Sequence, residues 1–225
     1  MFDIKGEVRS LSRRAEVDQR AFSRMSRKFF EVRCRVRSHA GRCTLLNGDR
    51  LFPGYGRPDA TPAERSDFLK PEVPFRDFPE APVFMRDARL GPVYWDLENP
   101  AGYWFISDKM KSVLQAVDPE GLDFLQCHIR SPDGQELPAR WFCNIRILDA
   151  LDEERSEVEI AVANNGSKFY DFFPLWPKLV FKEPIVGSCH IFRMKYSLRR
   201  VIIYEEMRQA CKSTQLKGIS FSVTE

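Results

Sequence analysis

The residues with the most reactive chemistry are three histidines and six cysteines. Two histidines directly follow a cysteine, as Cys127-His128 and Cys189-His190, and both residue types can be zinc ligands. Successive residues on a strand point to opposite faces, so neither pair can hold one metal ion without a bulge. GxSxG, GxGxxG, HExxH and phosphate-loop motifs do not occur. The sequence therefore predicts no metal site, no cofactor and no catalytic residue.

Six carboxylates fall within residues 149–159, directly after an apolar stretch. A catalytic pair among them would need two environments that split the pKa values, and the neighbouring sequence supplies no buried general acid. Two interpretations remain, a solvated loop or a negative surface suited to a basic partner. The partner-binding candidates in this cluster are Asp149, Asp152, Glu153, Glu154 and Glu157.

Aromatic residues offer a second kind of candidate. The chain holds four tryptophans, and most residues of this type in a sheet and helix protein belong to the core. A tryptophan that remains exposed would be a natural interface anchor. Trp95 and Trp176 are the two candidates for that role.

One pattern is written twice, 97 positions apart and without a gap, as FISDKMKSVLQAVDPEGLDF over residues 105–124 and IIYEEMRQACKSTQLKGISF over residues 202–221. Each copy reads as a strand end, acidic residues, a helix of about three turns, a glycine and a second strand. Gly121 and Gly218 are expected to leave their helices with a left-handed backbone. We expect Met110 and Met207 to be buried at matching places in this repeated β-α-β module.

The first 82 residues contain a basic segment followed by a proline-rich segment. Residues 1–50 carry thirteen Lys and Arg against six Asp and Glu, although the whole chain has a net charge of only +3. Residues 1–28 are predicted to be a basic helical arm, either solvated or in contact with nucleic acid or an anionic surface. Residues 47–82 hold seven prolines, which exclude a central strand or a long helix. Their aromatic residues predict an ordered lariat that packs onto the core.

The second half predicts a strand-rich sheet. Pro132-Asp133-Gly134 and Asn164-Asn165-Gly166 are turn signals between apolar segments. Strands are predicted at Phe29–Val36, Leu122–Ile129, Trp141–Leu148, Glu157–Ala163, Lys168–Phe173, Leu179–Lys182, His190–Met194 and Arg200–Tyr204. The expected class is α+β, a mostly antiparallel or mixed sheet with a few covering helices, in a single domain over residues 29–225.

The chain has no apolar run near the roughly 20 residues that a membrane span needs. Its first residues are charged and lack the apolar core of a signal peptide, and its cysteines lie mostly within apolar runs. A cytoplasmic protein with reduced thiols and no membrane partner is therefore expected.

Several short motifs follow one another along the chain. They are Trp95-Asp96, residues 106–111 (ISDKMK), residues 144–152 (NIRILDALD) with Ser156, residues 190–193 (HIFR) and residues 216–221 (LKGISF). In their order and spacing, from Phe29 onward, they resemble the bacterial immunity-protein family of polymorphic toxin systems called immunity protein eleven. The aromatic stretch Phe169–Trp176 departs from the regular strand that is common in that family.

This resemblance implies a cytoplasmic protein that binds and neutralises a cognate toxin, and it brings no catalytic residues with it. The acidic cluster would then face a basic toxin surface. Two alternatives stay open from the residues alone. One is a nucleic-acid-associated module that uses the basic arm, although carboxylates separate its cations. The other is an enzyme of unrecognised type, which would need a pocket with convergent titratable groups.

Overall fold

The structure is a computed structural model that describes residues 27–34, 43–52, 75–86, 95–98, 103–172 and 177–224. The strands in these ranges are β1 Phe29–Cys34, β2 Cys43–Leu45, β3 Val83–Arg86, β4 Leu97–Glu98, β5 Trp104–Ile106, β6 Leu122–Arg130, β7 Glu136–Ile145, β8 Ile147–Leu148, β9 Glu159–Val162, β10 Lys168–Asp171, β11 Ile191–Met194, β12 Ser197–Tyr204 and β13 Ile219–Val223. The helices are α1 Gly48–Leu51, α2 Asp108–Val117, α3 Glu183–Val186 and α4 Glu205–Ser213, and Phe75–Asp77 forms a 3-10 turn.

The strands form two main sheets and a separate hairpin. The six-stranded sheet has the order β2-β3-β6-β7-β5-β4, the five-stranded sheet has the order β13-β1-β12-β11-β8, and β9 pairs with β10. All pairings are antiparallel except β3 with β6 and β8 with β11. The α+β class with mixed, mostly antiparallel sheets is therefore confirmed.

Both copies of the sequence repeat fold as strand, helix and strand. The first copy is β5-α2-β6 and the second is β12-α4-β13. In each copy a third strand from elsewhere in the chain, β7 or β1, lies between the two repeat strands and is antiparallel to both. The repeat is thus a split β-α-β unit, a detail that the linear pattern does not contain.

Strand register and side-chain contacts also match between the copies. The corresponding pairs are Ile106 with Trp141 and Phe124 with Cys143 in the first copy, and Ile203 with Phe30 and Phe221 with Val32 in the second. Lys111 of α2 places its ammonium 3.6 Å from the ring centroid of Trp141, and Arg208 of α4 lies 4.1 Å from that of Phe30. These four residues occupy equivalent positions, so a cation-π contact is repeated as well.

The two helices share one central core between the sheets. Met110 and Met207 are 1% and 0% exposed, and both belong to this core, which confirms the prediction for the two methionines. The acidic first turns are confirmed too, since Asp108 begins α2 and Glu205 begins α4. Negative charge there is favoured by the helix dipole.

The two repeat glycines, in contrast, serve different needs. Gly218 has a φ of +81°, as predicted for a left-handed exit. Gly121 has no positive φ, so that prediction is wrong for the first copy. A side chain at Gly121 would place its Cβ 2.7 Å from Oδ1 of Asp118, which itself accepts the Gly121 N–H at 2.9 Å. The close approach of the buried Asp118 carboxylate therefore leaves no room for a side chain at position 121.

Two further cores cover the outer sheet faces. On the six-stranded sheet, Phe52, Phe75 and Phe78 of the proline-rich segment pack around Tyr103. Tyr55 and Phe68 of that segment lie outside the described residues. On the five-stranded sheet, the covering residues include Leu151, Leu179, Phe181 and Val186.

Some predicted elements differ or fall outside the described ranges. Leu179–Lys182 is not a strand, because its backbone hydrogen bonds to Ala150, Asp152 and Thr224 form only one isolated bridge, between Phe181 and Leu151, and no continuous ladder. The predicted helical arm lies outside the described residues except for Arg27 and Lys28. Arg27 donates to the carbonyl of Gly187 at 2.6 Å and to the hydroxyl of Tyr204.

Candidate partner-binding surface

The acidic segment, residues 149–159, follows β8 and crosses the outer core of the five-stranded sheet. Within this segment, Ala150 and Leu151 are buried. Its backbone is tied to the neighbouring segment, since the Asp152 N–H donates to Val180 O at 2.9 Å and the Lys182 N–H donates to Ala150 O at 2.7 Å. The carboxylates are therefore displayed on a backbone that is held at several points.

Two of the predicted site residues also hold this segment in place. Asp152 is half-buried, and its Oδ1 accepts the N–H of Arg155 at 3.3 Å. Glu157 is exposed, and its Oε2 accepts the N–H of Lys178 at 2.9 Å. Carboxylates that accept backbone N–H groups favour a fixed turn, so these two contribute to local structure as well as charge.

Glu153 links the acidic segment to the hairpin. Its Oε1 accepts hydrogen bonds at 2.5 Å from both Lys168 Nζ and the Tyr170 hydroxyl. These bonds, with that from Lys168 the stronger influence, lower the pKa of Glu153 below its usual value. Burial, and then the bond to Glu153, raises the pKa of Tyr170. Glu153 thus remains ionised and fastens β10 to the segment.

Among these five carboxylates, Asp149 and Glu154 have the weakest contacts with other described residues. Asp149 pairs with Lys195 at 3.4 Å, with both side chains well exposed, and such surface pairs contribute little stability. Glu154 is exposed and has no ion pair with any residue in the described ranges. These two side chains are the most available to a partner.

Basic residues border the acidic segment on one side. A cleft of about 850 Å³ lies there, and its lining includes Arg27, Arg155, Lys178 and Lys182 together with apolar atoms of Phe181. The surface is therefore mixed in charge at this border. The negative part extends the other way, toward the hairpin.

Trp95 lies apart from the carboxylates. It is half-buried, and a Cβ added to Gly218 would lie 2.9 Å from the Trp95 Cβ. Gly218 precedes β13, whereas Thr224 follows it and accepts the Leu179 N–H beside the acidic segment at 2.6 Å. Residues 218 and 224 are six residues apart in nearly extended chain. Trp95 and the acidic segment therefore lie roughly 20 Å apart. Trp176 lies outside the described residues.

The Trp95-Asp96 motif has a clear structural task. Asp96 accepts the Ser107 hydroxyl at 2.6 Å through Oδ1 and the Lys217 N–H at 2.7 Å through Oδ2. Ser107 in turn caps α2 by accepting the Met110 N–H at 3.2 Å. The motif thereby joins the start of α2 to the turn after α4.

The β9-β10 hairpin carries exposed apolar residues that sequence reasoning did not single out. The predicted turn at Asn164-Asn165-Gly166 is confirmed, with Gly166 at a φ of +82°. Ile160, Val162 and Phe169 are exposed near this turn. Alternating apolar residues normally signal one buried face, so the pattern contained no sign that this face is uncovered.

Four of the six cysteines have raised thiol pKa values. Burial raises the pKa of Cys43 to about 11 and that of Cys211 to about 12, and it also raises the pKa of Cys127 and Cys143. Such thiols are poor nucleophiles at neutral pH. In the part of the chain that is described, no three His, Cys, Asp or Glu side chains are grouped to hold a metal ion.

The α+β fold displays a carboxylate-rich segment beside a hairpin with exposed apolar residues. No helix in the described ranges is long and apolar enough to cross a bilayer. A family model described as the Immunity protein family (Imm11) matches residues 28–225. The chain belongs to this family. A search among curated proteins finds no match.

Proposed function

We propose that the chain is a cytoplasmic immunity protein that binds a cognate toxin and neutralises it by stoichiometric occlusion, without catalysis. The observation that carries this proposal is the family match over nearly the whole chain. The raised thiol pKa values support a binding role over Cys-based chemistry.

The acidic segment is the proposed rim of the toxin interface. Its members are Asp149, Asp152, Glu153, Glu154 and Glu157, with Trp95 and Trp176 as proposed aromatic contacts. Because rim charges steer diffusional encounter, the segment would accelerate association with a basic toxin. Trp95 would belong to a second contact region, since about 20 Å is within the span of a standard interface.

Charge reversal at the two least committed carboxylates tests this rim. The variant Asp149→Lys/Glu154→Lys leaves the structural roles of the other three side chains intact. Its matched control is Glu136→Lys with Asp123→Lys on the six-stranded sheet, where both side chains are exposed. Each pair changes the net charge equally, so only position distinguishes them.

The measurement is stopped-flow binding to a candidate toxin domain, which is first sought in the genes that flank the one for this chain. At low ionic strength, we expect the rim variant to associate roughly tenfold more slowly than wild type, with a shallower dependence on salt. The control pair should change the association rate much less. Equal rates for the two variants, with both folded, would place the interface elsewhere. A wild-type chain that neither binds nor inhibits the toxin would refute the proposed function.

A further inference from the structure

Within the described residues, the hairpin is hydrogen-bonded to the rest of the protein through β10. Tyr170 of β10 is buried, and its N–H donates to the Tyr196 carbonyl at 3.0 Å in the turn between β11 and β12. Among the described residues, β9 pairs with β10 alone. One edge of β9 is therefore unpaired within the described part of the chain.

Apolar side chains lie on both faces of this ribbon. Ile160 and Val162 share the face of Tyr170, while Phe169 lies on the opposite face, across from Ala161. The exposed fractions are 48% for Ile160, 67% for Val162 and 42% for Phe169. Large apolar side chains are thus uncovered on each of the two faces of one short ribbon, and exposed apolar groups of this kind mark interaction sites.

The charges around these residues indicate what covers them. Glu159 lies directly across from Asp171 on the Phe169 face, and neither has an ion-pair partner in the described ranges. Like charges opposite each other destabilise a strand pair. A cation placed between these carboxylates by a partner would relieve the repulsion. Glu154 is the next residue after Glu153, which bonds the hairpin at Lys168 and Tyr170, so the charge of Lys168 is already paired.

Resting on the proposed function, we infer that the β9-β10 hairpin is the apolar anchor of the toxin interface. Its occupant is a recess on the toxin that is lined by apolar side chains and flanked by Lys or Arg. A second copy of this chain would bring the same carboxylates against one another. Nucleic acid and anionic lipid would be repelled by them. A basic protein surface is the partner that fits both features.

The apolar part of the inference is tested with the variant Ile160→Thr/Val162→Thr/Phe169→Thr. Threonine retains strand propensity, and the three side chains are exposed, so the fold should be preserved. The matched control is Leu46→Thr/Val223→Thr, because Leu46 and Val223 are 50% and 58% exposed elsewhere on the protein. The probe is the same purified candidate toxin domain from a flanking gene, and its binding is measured by surface plasmon resonance.

Loss of the anchor should act on dissociation. We expect the triple variant to dissociate about 10- to 100-fold faster, with association little changed, and the control pair to match wild type. Wild-type dissociation in the triple variant, with unchanged circular dichroism, would overturn the hairpin assignment and leave the proposed function standing. A wild-type chain that does not bind the toxin would overturn both.

The charge part has its own signature. In Glu159→Gln/Asp171→Asn, relief of the cross-strand repulsion should keep or raise the melting temperature of the free chain. The same variant should bind the toxin several-fold more weakly, and the difference should shrink as salt increases. A solvated hairpin would show the first effect without the second, which would count against the inference.

Discussion

The variant Gly218→Ala tests the close contact between the turn after α4 and Trp95. The φ of Gly218 is +81°, which is unfavourable for any residue with a Cβ. A Cβ there would also lie 2.9 Å from the Trp95 Cβ, 3.1 Å from the Trp95 Cε3 and 3.2 Å from the Leu97 carbonyl oxygen. The variant Gly218→Ala therefore combines backbone strain with a steric clash.

The two contributions can be separated with a matched glycine. Gly134 has a φ of +86° with nothing within 4 Å of the added Cβ, so Gly134→Ala measures the backbone contribution alone. That contribution is about 1–2 kcal/mol. Overpacking against Trp95 adds about 1–3 kcal/mol. We expect Gly218→Ala to lower the free energy of unfolding by about 2–5 kcal/mol, clearly more than Gly134→Ala.

Urea unfolding followed by circular dichroism measures both changes. A double-mutant cycle then assigns the part due to Trp95, because Trp95→Gly removes both its Cβ and its Cε3, so Gly218→Ala should cost less in that background than in the wild-type chain. Tryptophan fluorescence of the folded Gly218→Ala variant should also shift as Trp95 is displaced. Equal losses for the two alanine variants would refute a tight contact between Trp95 and the turn after α4.

Three further predictions concern the core, pH and metal content. Met110→Ala and Met207→Ala should each lower the free energy of unfolding by about 2–5 kcal/mol in urea titrations, since both leave cavities in one core; a negligible loss at either would contradict the matched packing. The folded pKa of Glu153 is lowered, so the stability that this carboxylate contributes is present above pH 4.5 and is lost as the pH falls through the folded pKa. The melting temperature of Glu153→Gln should lack this dependence on pH. The purified chain should hold no stoichiometric zinc by elemental analysis, and a chelator should leave its melting temperature unchanged.

The proposed binding surface was only partly accessible to sequence reasoning. The density of carboxylates within residues 149–159 identified a candidate from composition alone. Which of them are engaged depends on backbone groups brought from residues 178–182 and on Lys168, and those contacts form only when the chain folds. Alternation at Ile160 and Val162 predicted a strand, but exposure depends on whether another layer of the protein covers it.

The sequence by itself determined the local structure of the repeat. Acidic first turns, apolar spacing and a terminal glycine act within a few residues, so both helices and their flanking strands could be predicted. Only the tertiary structure decided that β7 and β1 enter between the repeat strands, with one register in both copies. It also decided that Gly121 accommodates Asp118 while Gly218 accommodates a left-handed backbone and Trp95. The physical reason is that strand pairing and close packing join residues far apart in the chain, where a local pattern holds no information about its partner.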